Sequence, residues 1–118
     1  MNESDLDQLT AALLEFVRER EWEQFHSPKN LSMAICVEAA ELAEHFIWTD
    51  ARESMALNPE ERGEVALEVA DVFLYTLRMS QVMGIDLIAT SRKKLDMNAV
   101  KYPADQVRGS AKRYSDYG

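Results

Sequence analysis

The stretch from Glu64 to Met79, EVALEVADVFLYTLRM, constrains the fold more than any other part of the chain. Its apolar residues do not form one stripe. Val65, Val69 and Val72 line one side of a helix, Ala66, Ala70, Phe73 and Leu77 a second, and Leu67 and Leu74 a third. A helix apolar on nearly every side is expected to be buried. Yet Glu64, Glu68 and Asp71 lie within it, and Tyr75 continues their line at spacings of four, three and four, so all four share a face. An ionised carboxylate inside a core is costly unless it is paired or bound to a metal. The apolar stretch upstream carries a matching pair, Glu38 and Glu41. Four acids on two apolar helices therefore call for several cations or for a metal site.

Helix signals organise the rest. A first helix is expected after the Ser4 cap, with Asp7 in the capping-box position, running to about Glu23. Leu6, Leu9, Leu13, Phe16 and Val17 give it an apolar stripe. Ser27-Pro28-Lys29 reads as a turn, after which Asn30 caps a second helix from Leu31 to about Ile47. Asp50 and Glu53 suggest a short capped helix through about Leu57. Asn58-Pro59-Glu60-Glu61 is a strong helix start, and Gly84 sits where the long helix should stop. Asp86 caps a last main helix that frays before Tyr102-Pro103. No strand alternation or repeat is present, so the expected fold is all-α: an antiparallel four-helix bundle, one domain over residues 1–118 with a partly ordered tail from about 104. The long helix has more apolar sides than so small a bundle covers, which predicts a homo-oligomer.

At 118 residues the chain is long enough to bury a core. No run approaches the roughly 18 apolar residues of a spanning helix, and MNESDLDQ is acidic where a secretory signal is basic. The expectation is a soluble, cytoplasmic protein without a membrane partner. The lone Cys36, between Ile35 and Val37, reads as a small core residue. A net charge of -8 argues against binding polymeric nucleic acid. Its distribution is uneven: residues 1–23 hold seven acids against two bases, and residues 92–113 seven bases against two acids. The basic stretch is either a solvated face or a partner for phosphate.

Positions 38 and 41, like 68 and 71, are three apart and leave one helix face about 5–6 Å from each other. Hard oxygen donors without a Cys/His cluster suit Mg²⁺, or Mn²⁺, better than zinc. Di-iron bundles use Glu-x-x-His units, but Glu44 stands three after Glu41 and His45 four after it. Magnesium-assisted phosphate chemistry is the better reading. The competing one is a non-enzymatic helical oligomerisation or regulatory module whose acids form intersubunit salt bridges.

Glu38-Ala-Ala-Glu41 and Glu68-Val-Ala-Asp71 resemble the Glu-x-x-Glu and Glu-x-x-Asp motif of the all-α MazG-like nucleoside triphosphate pyrophosphohydrolases. REWEQFHSPKNLSMAI from Arg20, Phe46-Ile47-Trp48 and KKLDMNAVKYP from Lys93 resemble the small dCTP pyrophosphatase branch. The resemblance implies hydrolysis of a nucleoside triphosphate, dCTP or a modified cytosine analogue, to the monophosphate and pyrophosphate. It implies metal ligation by Glu38, Glu41, Glu68 and Asp71, and a base pocket around Trp22, His26 and Trp48. Tyr75, in line with the acids of the long helix, is a further candidate substrate contact. Lys94, Asn98, Lys101 and Tyr102 match the phosphate and sugar side of the family's motif. On chemistry alone, Lys94 and Lys101, with Arg108 as a further cation, are candidates to stabilise charge on the transferring and leaving phosphates. Glu41, ahead of Glu38, is the candidate to orient or deprotonate the water. The resemblance also implies a homodimer or homotetramer whose subunits share sites. Read without the resemblance, Trp22 and Trp48 either close the core or wall a pocket.

Overall fold

The structure, a computed structural model, describes residues 4–111. Among them are six α-helices and one 3₁₀ turn, with no strand: α1 (Asp5–Glu19), the turn Glu23–Phe25, α2 (Pro28–Glu44), α3 (Ala51–Ser54), α4 (Pro59–Met83), α5 (Leu87–Lys101) and α6 (Ala104–Val107). No single helix among them is long and apolar enough to cross a membrane. The described residues gather into two compact units, one ending at Gly84 and the other starting at Ile85.

In the first unit α4 is the centre, packed mainly against α2 and also against α1. Side-chain caps start each of its helices. Ser4 and Asp7 form a reciprocal capping box on α1, at 3.1 and 3.4 Å. Asn58 Oδ1 accepts from the Glu61 N–H at 2.8 Å, with Pro59 as the first residue of α4. Asp50 caps α3 through the Glu53 N–H at 2.7 Å. Helix α4 ends at Gly84, whose φ of 64° is left-handed and costs glycine nothing.

Four boundaries differ from the sequence reading, two of them plain early stops: α2 ends at Glu44 rather than near Ile47, and α3 at Ser54 rather than near Leu57. Ser27, not Asn30, caps α2: its Oγ accepts from the Asn30 N–H at 3.1 Å and Pro28 takes the first helical position. The Asn30 amide instead donates to the Phe25 carbonyl at 3.0 Å, tying α2 to the 3₁₀ turn. Helix α1 stops at Glu19 rather than near Glu23. Glu21 adopts a left-handed φ of 54°, the Glu21 N–H donates to Arg18 O at 3.0 Å, and the Trp22 N–H reaches back to Val17 O at 3.1 Å. That pair of bonds is a Schellman motif, which satisfies the last carbonyls and turns the chain.

Among the described residues, Val17, Leu31 and Leu77 are the buried apolar side chains. Elsewhere the apolar faces are open: Met33 and Val37 on α2, and Leu67 (71% exposed), Val69 and Phe73 on α4. Cys36 is exposed on α2, not in the core. The reason is the same throughout. Helix α4 is apolar on three sides, and α1 and α2 cover only part of it.

The second unit contains α5, capped by Asp86 through the Ala89 N–H at 3.0 Å, and α6. The short helix Ala104–Val107 falls in the stretch expected to be a tail. Residues 112–118 of that expected tail lie outside the described residues.

Candidate active site

The packing of α2 on α4 brings two acid-bearing faces together. Glu38, Glu41 and Glu68 each offer a carboxylate oxygen within 4.8 Å of the others. All three are half-buried. Oε2 of Glu38 and Oε2 of Glu68 are fully buried and have no hydrogen-bond partner among the described residues. An unpartnered buried carboxylate oxygen is costly. The chain relieves part of that cost by holding a proton: burial first, then a hydrogen bond to Glu41 and the charges of Glu41, Asp71 and Glu68, push the Glu38 carboxyl up to about 7. Hard oxygens converging with lone pairs to spare fit a divalent cation of the magnesium class.

Asp71 stands outside the three-acid cluster. It is exposed, and it lines a neighbouring cavity of about 250 Å³ with Phe16, Trp22, His26, Tyr75 and Arg78. The Schellman turn places Trp22 here, its ring edge-to-face with Phe16 at 5.8 Å between centroids and 77° between planes. Arg20 covers the other part of Phe16, its guanidinium carbon 3.7 Å from the ring centroid. Trp22, His26 and Tyr75, read from sequence as substrate contacts, thus share one aromatic cavity. Trp48 does not join them: it follows α2 and is 91% exposed. Glu64 is exposed at the N-terminal end of the acid line, and Glu44 and His45 flank Glu41 and Glu68 at a shallow depression.

Lys94, Asn98 and Lys101 lie on α5 in the second unit, at spacings of four and three that put them on one face. Tyr102 caps that helix, donating its N–H to Asn98 O at 2.7 Å. Lys101 Nζ lies 5.7 Å from the Tyr102 ring. Arg108 pairs at 3.9 Å with Asp105, both exposed.

Arg78 is the charged cavity residue that sequence reasoning missed. It is 6% exposed and donates from Nε to His26 Nδ1 at 2.9 Å. A signal existed: Arg78 lies three beyond Tyr75 and so extends the line of Glu64, Glu68, Asp71 and Tyr75 by another turn. Burial first, then the Arg78 charge, hold the His26 imidazole below its ordinary basicity.

Comparison with known proteins places this geometry. The model of the MazG-like family matches residues 33–117. The dCTP pyrophosphatase 1 of Rattus norvegicus is 38% identical over 116 residues, 97% of this chain and 68% of the relative. The Homo sapiens protein of the same name is 36% identical over the same shares. A solved pyrophosphatase from Archaeoglobus fulgidus superposes with a TM-score of 0.82 at 36% identity, covering 87% of this chain and 96% of that one.

Proposed function

We propose that this chain, which belongs to the MazG-like family and is closely related to its dCTP pyrophosphatase branch, is a magnesium-dependent nucleoside triphosphate pyrophosphohydrolase. The observation that carries the reading is the convergence of Glu38, Glu41 and Glu68, two of them with an unpartnered buried oxygen, next to an aromatic cavity that Asp71 also lines.

Glu38, Glu41, Glu68 and Asp71 would hold the cation, Mg²⁺ or in its place Mn²⁺. When bound, the cation supplies charge neutralisation for the phosphate chain and a more acidic water. Glu41, ahead of Glu38, orients the attacking water and accepts its proton. Attack at the α-phosphorus breaks its bond to the bridging oxygen, and pyrophosphate leaves with the bonding electrons. Lys94 and Lys101, with Arg108, supply cationic groups for the phosphates, and Asn98 and Tyr102 contact the sugar side. Trp22, His26 and Tyr75 take the base, by stacking and by fit to the cavity. Trp48 serves the base once the chain assembles. The open apolar faces of α2 and α4 are the surfaces for that homodimer or homotetramer.

The substrate we infer is dCTP or a modified cytosine analogue, within a cytoplasmic nucleotide-pool role for a single catalytic domain spanning 1–118. Product analysis with dCTP, dUTP, dTTP and ATP in Mg²⁺ tests the reaction. Monophosphate plus pyrophosphate is expected. Diphosphate plus orthophosphate would reject the bond assigned here, and no turnover across canonical and modified nucleotides would reject the enzyme.

A further inference from the structure

Burying a guanidinium is costly unless its N–H groups find acceptors. Arg78 finds two, and their order has a direction. Gln81 Nε2 donates to the Thr10 carbonyl at 2.7 Å, which turns Gln81 Oε1 toward Arg78 Nη1, 3.0 Å away. Arg78 Nε then donates to His26 Nδ1 at 2.9 Å. Arginine carries donors only, so Nδ1 must accept. In a neutral imidazole the proton is then on Nε2. His26 lines the cavity, and its Nε2 has no hydrogen-bond partner among the described residues.

We infer that Arg78 is a positioning residue that locks His26 as the Nε2–H tautomer, so that the aromatic cavity presents a hydrogen-bond donor selecting a nucleobase with a ring carbonyl. This rests on the cavity being the base pocket. Burial and the Arg78 charge keep the imidazole neutral, as the lock requires. A second element holds the device in register: the Gln81 contact spans from α4 to the backbone of α1, so the donor is set by the packing of two helices and not by the turn that carries His26. An oxygen at the base edge is met, whereas an amino group or a C–H there strips water from the donor and leaves it unpaired.

The test reads the ring directly. Long-range ¹H–¹⁵N correlation spectra of the whole ¹⁵N-labelled protein report the tautomer of its two histidines, and His26→Gln identifies which signals belong to His26. A neutral ring protonated at Nε2 near pH 7 is expected; the Nδ1–H tautomer or an imidazolium would overturn the inference. The spectrum needs no turnover, so it stands or falls separately from the proposed reaction. Kinetics supply the second arm. Arg78→Met should raise KM for the preferred nucleotide about tenfold, with kcat within about threefold, by freeing the ring to change tautomer. In a His26→Gln background the amide Nε2 donates regardless of Arg78, and the same substitution should change KM by less than about threefold. Equal KM losses in both backgrounds would make Arg78 a structural residue only. If Arg78→Met does not fold, the wild-type spectrum alone decides.

Discussion

Metal binding should release protons near neutral pH, by an amount that the acid cluster sets. Glu38 is held at about 7 by burial, by its hydrogen bond to Glu41 and by three neighbouring carboxylates. A cation needs it ionised. With the Glu38 carboxyl at about 7, binding should displace about half a proton per site at pH 7, rising to about nine-tenths at pH 6 and falling to about one-tenth at pH 8. The same arithmetic makes the apparent affinity about tenfold weaker at pH 6 than at pH 8. Calorimetric titration with Mn²⁺, in pairs of buffers with different ionisation enthalpies, measures the released protons directly. Glu38→Gln should abolish the release at whatever affinity remains. Release below about one-tenth of a proton at pH 7, with affinity flat across this range, would refute the coupling of these carboxylates.

Without metal, the same cluster should make stability fall as pH rises. The folded chain holds the Glu38 proton more tightly than the unfolded chain does, so this contribution is complete below about 4.5 and lost as pH rises through about 7. Urea titrations of the metal-free protein across that window check the sign, which Mg²⁺ should offset at the upper end. Glu41→Gln and Asp71→Asn should each lower kcat at least about a hundredfold with far-ultraviolet circular dichroism unchanged, and near-normal turnover in both would remove their roles. Glu21→Gly should stabilise the fold by about 0.5–1 kcal/mol in a urea titration, since a left-handed φ of 54° strains a residue with a Cβ. Trp48→Ala should leave the stability of the chain within about 0.5 kcal/mol, because its ring is open to solvent, so any change in nucleotide selection it causes is not a folding defect.

Much of the local architecture was legible because it is written in short-range chemistry. The capping residues Ser4, Asp50, Asn58 and Asp86 and the stop at Gly84 each act within one turn, and side-chain spacing alone puts Glu38 with Glu41 and Glu68 with Asp71 on helix faces. Where two local signals compete, spacing alone does not choose: Ser27 and Asn30 are both good caps, and Pro28 decides for Ser27 by occupying the first helical position. Glu21 gives no sign in sequence of a left-handed residue, so the helical pattern runs past the true end of α1.

The helices, their acid pairs and the excess of apolar surface on α4 follow from residue order alone. Packing had to settle that Glu38, Glu41 and Glu68 meet while Asp71 lines the aromatic cavity. It also decided that Arg78 reaches a histidine 52 residues away, and that Cys36 and Trp48 are open in the single chain. Helical periodicity says which side chains share a face; it carries no rotation of one helix against the next, and that rotation is set by packing.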